Sequence, residues 1–296
     1  GVGDSIQSTT GSVILSGVGL NLAGTITANN AGQSVTLVST SAATTIGIGN
    51  ASTGSLNMTD AELDNITTDT INIGDASTTG AIDVGTIDGL DTNLNLYTSN
   101  TITDTVGTNA DNITLTAGHN FSIDGGGAGN GSGQVGAAGN DALNINTSGG
   151  GTITVDTDDA AVFIGSNASD MVINTITSGT GNVDIASGGK INDNGAGDAI
   201  TNTGTLTMSS NGAIGDTTAL GVNTGNITIS TTNGNNITLE ETGATTIASI
   251  ATGGAGDISL TSTSTIDDID DVGDNITTTG ALSLTSNGAI GGANAQ

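Results

Sequence analysis

Carboxylates dominate the chemistry open to this sequence: 29 Asp and Glu stand against one basic residue, Lys190, and one histidine, His119. They gather at Asp267, Asp268, Asp270, Asp271 and Asp274, and again at Asp156, Asp158 and Asp159. Oxygen-rich clusters suit calcium, a hard cation that takes roughly six to eight oxygen ligands. Asp267, Asp268, Asp270, Asp271 and Asp274 are therefore the candidate metal site, with calcium as its ion, and no cofactor is required. Residues 253–260 (GGAGDISL) come near the calcium-binding β-roll nonapeptide, but they lack one residue between Gly and Asp and do not recur in tandem. A solvated acidic face is the competing reading.

Catalysis finds little support, and no catalytic residue is expected. His119 lies between Gly118 and Asn120, the setting of an exposed turn. No G-x-S-x-G occurs to expose a nucleophilic serine. Lyase chemistry on a carboxylate cluster needs a basic group, and only Lys190 is present. A glycosidase needs two carboxylates but also a stacking platform, and Tyr97, Phe121 and Phe163 are the only aromatics. Residues 131–136 (GSGQVG) match G-x-G-x-x-G, yet no helical pattern follows them to cap a phosphate.

The formal charge of -28, without any Arg, excludes nucleic acid and anionic lipid as partners. No apolar run is long enough for membrane insertion. The absence of Cys removes disulfides and thiolate metal sites. The chain begins at Gly1 without Met or a signal sequence, which reads as a mature product or an excised segment.

The elements that must position these side chains are short strands. An apolar-polar-apolar unit introduced by Gly or Asn recurs, as at Asn112-Ile113-Thr114-Leu115, Asn226-Ile227-Thr228-Ile229, Asn236-Ile237-Thr238-Leu239 and Asp257-Ile258-Ser259-Leu260. Its period of two points the aliphatic residues inward and the Thr or Ser between them outward. Strands this short are unstable as isolated hairpins and need stacking. Successive apolar leads, among them Val35, Val162, Val172 and Val183, fall near ten or twenty-one residues apart, which predicts coils of roughly 20 residues. Aromatic residues make up 1% of the chain, so the interior must be narrow.

Internal repetition supports the same architecture. Residues 197–215 (GDAITNTGTLTMSSNGAIG) return 76 positions later as 273–291 (GDNITTTGALSLTSNGAIG), with 13 of 19 positions identical. A looser echo links residues 45–53 (TIGIGNAST) with 70–78 (TINIGDAST). The one helix signal is Thr59-Asp60-Ala61-Glu62-Leu63, whose Thr59 and Glu62 have capping-box spacing. These features predict an all-β fold, a right-handed parallel β-helix or β-solenoid. Residues 1–40 form an N-terminal cap or docking segment. Residues 41–296 form the repeat rod, and the Gly-rich stretch 125–139 is a loop.

The run Asn57 to Ile66 (NMTDAELDNI), followed by Thr70-Ile71-Asn72-Ile73-Gly74-Asp75, resembles the repeats of large bacterial exoproteins of the filamentous-haemagglutinin type. Ser-Asn-Gly-Ala-Ile-Gly, at 210–215 and 286–291, is similar to turns in the same family. That resemblance implies a secreted β-helix shaft acting in adhesion or matrix, outside the cell or at its surface, with host or cell-surface components as partners.

The reading is an extracellular structural protein and not an enzyme, the subunit of a self-assembling filament or matrix fibre whose partners are copies of itself end to end. The assembly residues are Val13, Ile14, Leu15, Leu20 and Leu22 of one copy against Leu282, Leu284 and Ile290 of another. A shaft segment of a secreted adhesin is the alternative. A further one is an acidic calcium-binding surface-layer solenoid, or an ice-binding solenoid using outward Thr pairs such as Thr205 and Thr207.

Overall fold

Two ordinary side-chain preferences build this molecule: β-branched residues fit a pleated surface, and alternate positions face opposite sides of it. A computed structural model describes residues 5–28, 30–104, 106–107, 112–116, 118–125, 133–147, 149–195, 197–269 and 275–291. It is nearly all β, with 50% of residues in strands and 3% in helix, and its parallel sheets stack as a β-solenoid of about 12 turns of roughly 22 residues. The coil is thus slightly longer than the apolar spacing predicts. The chain divides into two compact units, residues 1–158 and 159–296.

In the first unit, one ladder runs through Val13–Gly17, Ser34–Ser39, Thr70–Ile73, Asn93–Tyr97, Phe121–Asp124 and Ile153–Asp156. Its register stacks Val13, Val35, Ile71, Leu94, Phe121 and Ile153 in a single column. All of these except the outermost, Val13, are buried. A second ladder joins Leu56–Met58, Ile46–Ile48, Ile82–Val84 and Ile102–Asp104. Ile87–Leu90, Ile113–Leu115 and Leu143–Thr147 form a third, and Ser5–Gln7, Thr25–Ala28 and Ile66–Thr68 a fourth. Strands from residues 1–40 therefore enter the same ladders as the rest of the unit. So does Val135 within the Gly-rich stretch: it is buried and bridges Ile102. Residues 126–132 of that stretch lie outside the described residues.

The second unit has two long ladders. Val162–Ser166, Val183–Ser187, Thr205–Ser210, Asn226–Thr231 and Thr245–Thr252 form the first, stacking Val162, Val183, Leu206, Ile227 and Ile247. An extra residue, Ala248, bulges Thr245–Thr252 so that Ser249 pairs with Thr228. The other ladder passes through Leu220–Asn223, Ile237–Glu241, Ile258–Ser262 and Leu282–Ser286. Met171–Thr177 supplies one correction to the sequence reading, because Met171 and Ile173 point inward and Val172 lies on the outer face.

The 19-residue repeat lands on different faces. Thr205–Ser210 belongs to the first ladder of the second unit, whereas its counterpart Leu282–Ser286 belongs to the other. Ile200–Thr201 and Ile276–Thr277 are exchanged in the opposite sense. The shift between the two copies is about three and a half turns of roughly 22 residues, so the second copy is offset from the first by half a coil. The looser echo marks a turn, not a coil: Ile46–Ile48 and Thr70–Ile73 sit in different ladders. Each is followed by a glycine with positive φ, Gly49 or Gly74. At Gly74 a Cβ would lie 2.2 Å from the Tyr97 carbonyl oxygen, so only glycine fits.

The predicted helical turn is present at Asp60–Leu63. Glu62 accepts hydrogen bonds from the Thr59 N–H and hydroxyl, both at 2.9 Å, and from the Leu22 N–H at 3.0 Å. Burial opposes its ionisation, but these donors outweigh burial and hold its carboxyl below the ordinary value.

Candidate functional site

The sequence points to two sites, an acidic cluster and the apolar ends of the ladders. In the cluster, Asp267 and Asp268 lie on the strand Ile266–Asp268, paired with Thr246 and Ile247. Asp270, Asp271 and Asp274 lie outside the described residues. Among the described residues, no three acidic or histidine side chains converge as a metal-ligand set.

Several other carboxylates are engaged by their own neighbours. Asp193, Asp198 and Glu240 line a cavity of about 540 Å3 in the second unit. There Asp193 accepts from the Thr218 hydroxyl and the Gly221 N–H, each at 3.1 Å, and Asp198 from the Thr242 hydroxyl at 2.8 Å. Asp156 accepts the Asp158 N–H at 3.2 Å, and Asp159 the Thr180 N–H at 3.0 Å. His119 stands 3.1 Å from Asp91, which also accepts the Thr116 hydroxyl at 2.6 Å. Those two contacts, Thr116 first, lower the Asp91 carboxyl from its ordinary value. Lys190 donates to Asp216 at 2.6 Å, and that partner raises its ammonium pKa. The G-x-G-x-x-G match contains the bridged, buried Val135, and the chain after it makes only a three-residue 3-10 turn, Gly139–Asp141.

At the ladder ends the geometry is specific. Val13–Gly17 and Leu282–Ser286 are the outermost strands of their ladders, so each has one edge without a strand partner among the described residues. Register places Val13 and Leu15 on the inward columns of Val35 and Leu37, and Leu282 and Leu284 on those of Ile258 and Leu260. Ile14 pairs with the outward Thr36 and is 69% exposed, so it belongs to the outer face and not to the end contact. Leu282 and Ile290 are 49% and 51% exposed, although their equivalents one coil inward, Ile258 and Ile266, are buried. Leu20 and Leu22 are half-buried. Leu22 is tied within the chain by Glu62 at its N–H and by the Asn65 amide at its carbonyl, 3.3 Å.

Three polar features escaped the sequence reading. Asn and Asp at strand starts clamp one coil to the next: Asn93 accepts the Asn120 N–H, Asn120 the Thr152 N–H, Asn236 the Asp257 N–H and Asp257 the Ala281 N–H, at 2.8–2.9 Å. Inward hydroxyls form a ladder of their own, Ser166, Ser187, Ser210, Thr231 and Thr252, and all are buried. They donate to corner carbonyls, as Ser210 does to Gly189 at 2.6 Å and Thr231 to Asn235 at 2.6 Å. Glu241 occupies the equivalent place in the other ladder, below Ser262, and is fully buried. One of its oxygens accepts the Gly243 and Thr224 N–H groups at 2.9 and 3.2 Å, and the other has no partner. Burial pushes this carboxyl up to about 7 against the pull of those donors, and Asp198 adds to the rise. Its signal in the sequence is the fifth position counted from the first inward aliphatic residue, Ser or Thr in other strands (LTMSS, ITIST, ISLTS) and Glu in ITLEE.

No protein-family model, curated protein or solved structure matches this chain.

Proposed function

We propose that the chain is an extracellular structural protein, the subunit of a filament or matrix fibre in which solenoids stack end on end. The observation that carries this reading is the stack of parallel strands itself, in which each coil offers the next a backbone edge and a buried aliphatic column, as Leu206, Ile227 and Ile247 do. Parallel strand edges present unpaired N–H and C=O groups together with a cross-section of the core, and a further coil satisfies both. The excess of 29 acidic residues over one basic residue serves solubility, and the single Lys190 leaves one site for trypsin.

A second reading, the shaft of a secreted adhesin, draws on the resemblance to filamentous-haemagglutinin-type exoproteins. It is favoured by the capped helical turn Asp60–Leu63, which lies inside the resembling run. Negative-stain imaging with light scattering over a concentration series separates the two. Subunits give filaments that lengthen with concentration, and removal of residues 1–24 gives a folded monomer. A full-length chain that stays monomeric at high concentration overturns the subunit reading.

A further inference from the structure

Five Asn-Gly pairs occur in the chain, beginning at Asn130, Asn194, Asn211, Asn233 and Asn287. An asparagine followed by glycine loses ammonia without an enzyme, because glycine carries no Cβ to hinder its nitrogen as that nitrogen attacks the asparagine side chain. The attack needs the nitrogen free, and an N–H held in a hydrogen bond must give up that bond first. What holds each glycine N–H therefore ranks the pairs. Asn130 and Gly131 lie outside the described residues.

Three of the four described pairs are held. Gly195 donates its N–H to Asp193 at 2.8 Å. Gly212 donates to the Gly189 carbonyl at 2.8 Å and to the Ser210 hydroxyl at 3.1 Å. Gly288 does the same in the second copy of the repeat, to the Ser264 carbonyl and the Ser286 hydroxyl, both at 3.0 Å. In the fourth pair the Gly234 N–H has no hydrogen-bond partner among the described residues. The place of Ser210 and Ser286, two residues before the glycine, is taken there by Thr232, whose hydroxyl turns instead to Asn211 Oδ1 at 3.3 Å. Asn233 and Gly234 both have positive φ, 58° and 73°. Asn235 closes the turn, its N–H and side-chain amide donating to the Thr232 carbonyl at 3.2 and 2.7 Å. Neither bond uses the Gly234 nitrogen or the Asn233 side chain. Asn233 is exposed, and its amide reaches the Thr232 hydroxyl at 3.4 Å.

We infer that Asn233 is a site of spontaneous deamidation, at which the folded chain loses ammonia in preference to Asn194, Asn211 and Asn287. The Gly234 nitrogen gives its proton to solvent base and bonds to the Asn233 Cγ. The side-chain nitrogen takes up a proton and leaves as ammonia, which closes a succinimide ring. Water then opens the ring at either carbonyl. Opening at Cγ leaves an aspartate on the original backbone, and opening at the backbone carbonyl leaves an isoaspartate with an extra carbon in the main chain. This corner is stacked closely on the next coil: a Cβ on Gly253 would lie 3.0 Å from the Asn233 nitrogen, and one on Gly254 would lie 3.3 Å from the Gly234 Cα. A longer main chain at that contact presses on the neighbouring corner, so the isoaspartate form loosens the stack there. The inference is independent of the filament reading.

The test is to age the full-length protein at mildly alkaline pH, folded and in parallel in concentrated urea. Pepsin peptides are mapped by mass spectrometry, and isoaspartyl methyltransferase labelling measures the isoaspartate. In the folded protein, conversion at Asn233 exceeds that at Asn194, Asn211 and Asn287 by about tenfold, the factor that about 1.4 kcal/mol of hydrogen bonding carries. In urea the four pairs convert at similar rates, because no fold holds any of the glycine N–H groups. Asn233→Gly, which accepts the positive φ and has no amide to lose, removes most of the acid formed at the described pairs. Equal conversion at the four pairs in the folded protein overturns the proposal, and so does an Asn233 that stays intact while the urea sample converts. A preference for Asn233 that is unchanged in urea also overturns it, since the fold would then play no part.

Discussion

Replacing Glu241 with Gln should remove a pH dependence written into the core of the second unit. The folded carboxyl titrates near 7, against 4.5 for the free group. At about 1.4 kcal/mol per pKa unit, ionising it inside the fold costs about 3 kcal/mol. Because the folded value is raised, its stabilising share is complete below about pH 4.5, falls as pH rises through the interval to about 7, and is gone above that. Gln keeps an oxygen for the Thr224 and Gly243 N–H groups and cannot ionise. At pH 4.5 it matches the protonated Glu, since each leaves one polar atom of the head group without a partner. At pH 8 the Gln variant should be more stable by about 3 kcal/mol, a shift on the order of 1 M in the urea midpoint followed by far-UV circular dichroism. Mutual repulsion among the other carboxylates also weakens the fold at high pH, so the quantity to read is the difference between the two proteins at each pH. If that difference is the same at pH 5 and pH 8, Glu241 is not the buried titrating group described here.

Two further substitution pairs test the phase of a strand and the close approach of neighbouring coils. Ile237 is fully buried and Thr238 faces outward, so Ile237→Asp should destabilise by several kcal/mol and Thr238→Asp by less than about 1 kcal/mol, with thermal melts as the measure; equal effects would refute the phase of that strand. At Gly181 a Cβ would fall 2.2 Å from the Ala160 carbonyl oxygen, whereas at Gly19 it meets nothing within 4 Å, so Gly181→Ala should cost roughly 1–3 kcal/mol or more and Gly19→Ala under about 1 kcal/mol; equal urea midpoints would contradict the close approach of neighbouring coils.

The sequence by itself determined the class of fold, because period-two aliphatic units, scarce aromatics and no Pro leave stacked short strands as the way to bury so few large side chains. Strict alternation also fixed the inward residues wherever it occurred, as at Ile227, Ile229, Ile237 and Leu239. The capped turn at Asp60–Leu63 was legible for a similar reason, since its bonds join residues three apart. Where three apolar residues run together, as in Val13-Ile14-Leu15 and Met171-Val172-Ile173, two phases are equally compatible with the pattern. Only pairing with Val35 and Leu37 turned Ile14 outward, and only pairing with Ile191 turned Met171 inward. The tertiary structure also decided which face each repeat occupies, because the shift between the copies is a half-integral number of turns and the chain carries no mark of where a turn begins. It likewise decided the fate of Glu241, an ordinary acidic residue in sequence, which the inward phase of Ile237 and Leu239 carries into the core beneath Ser262.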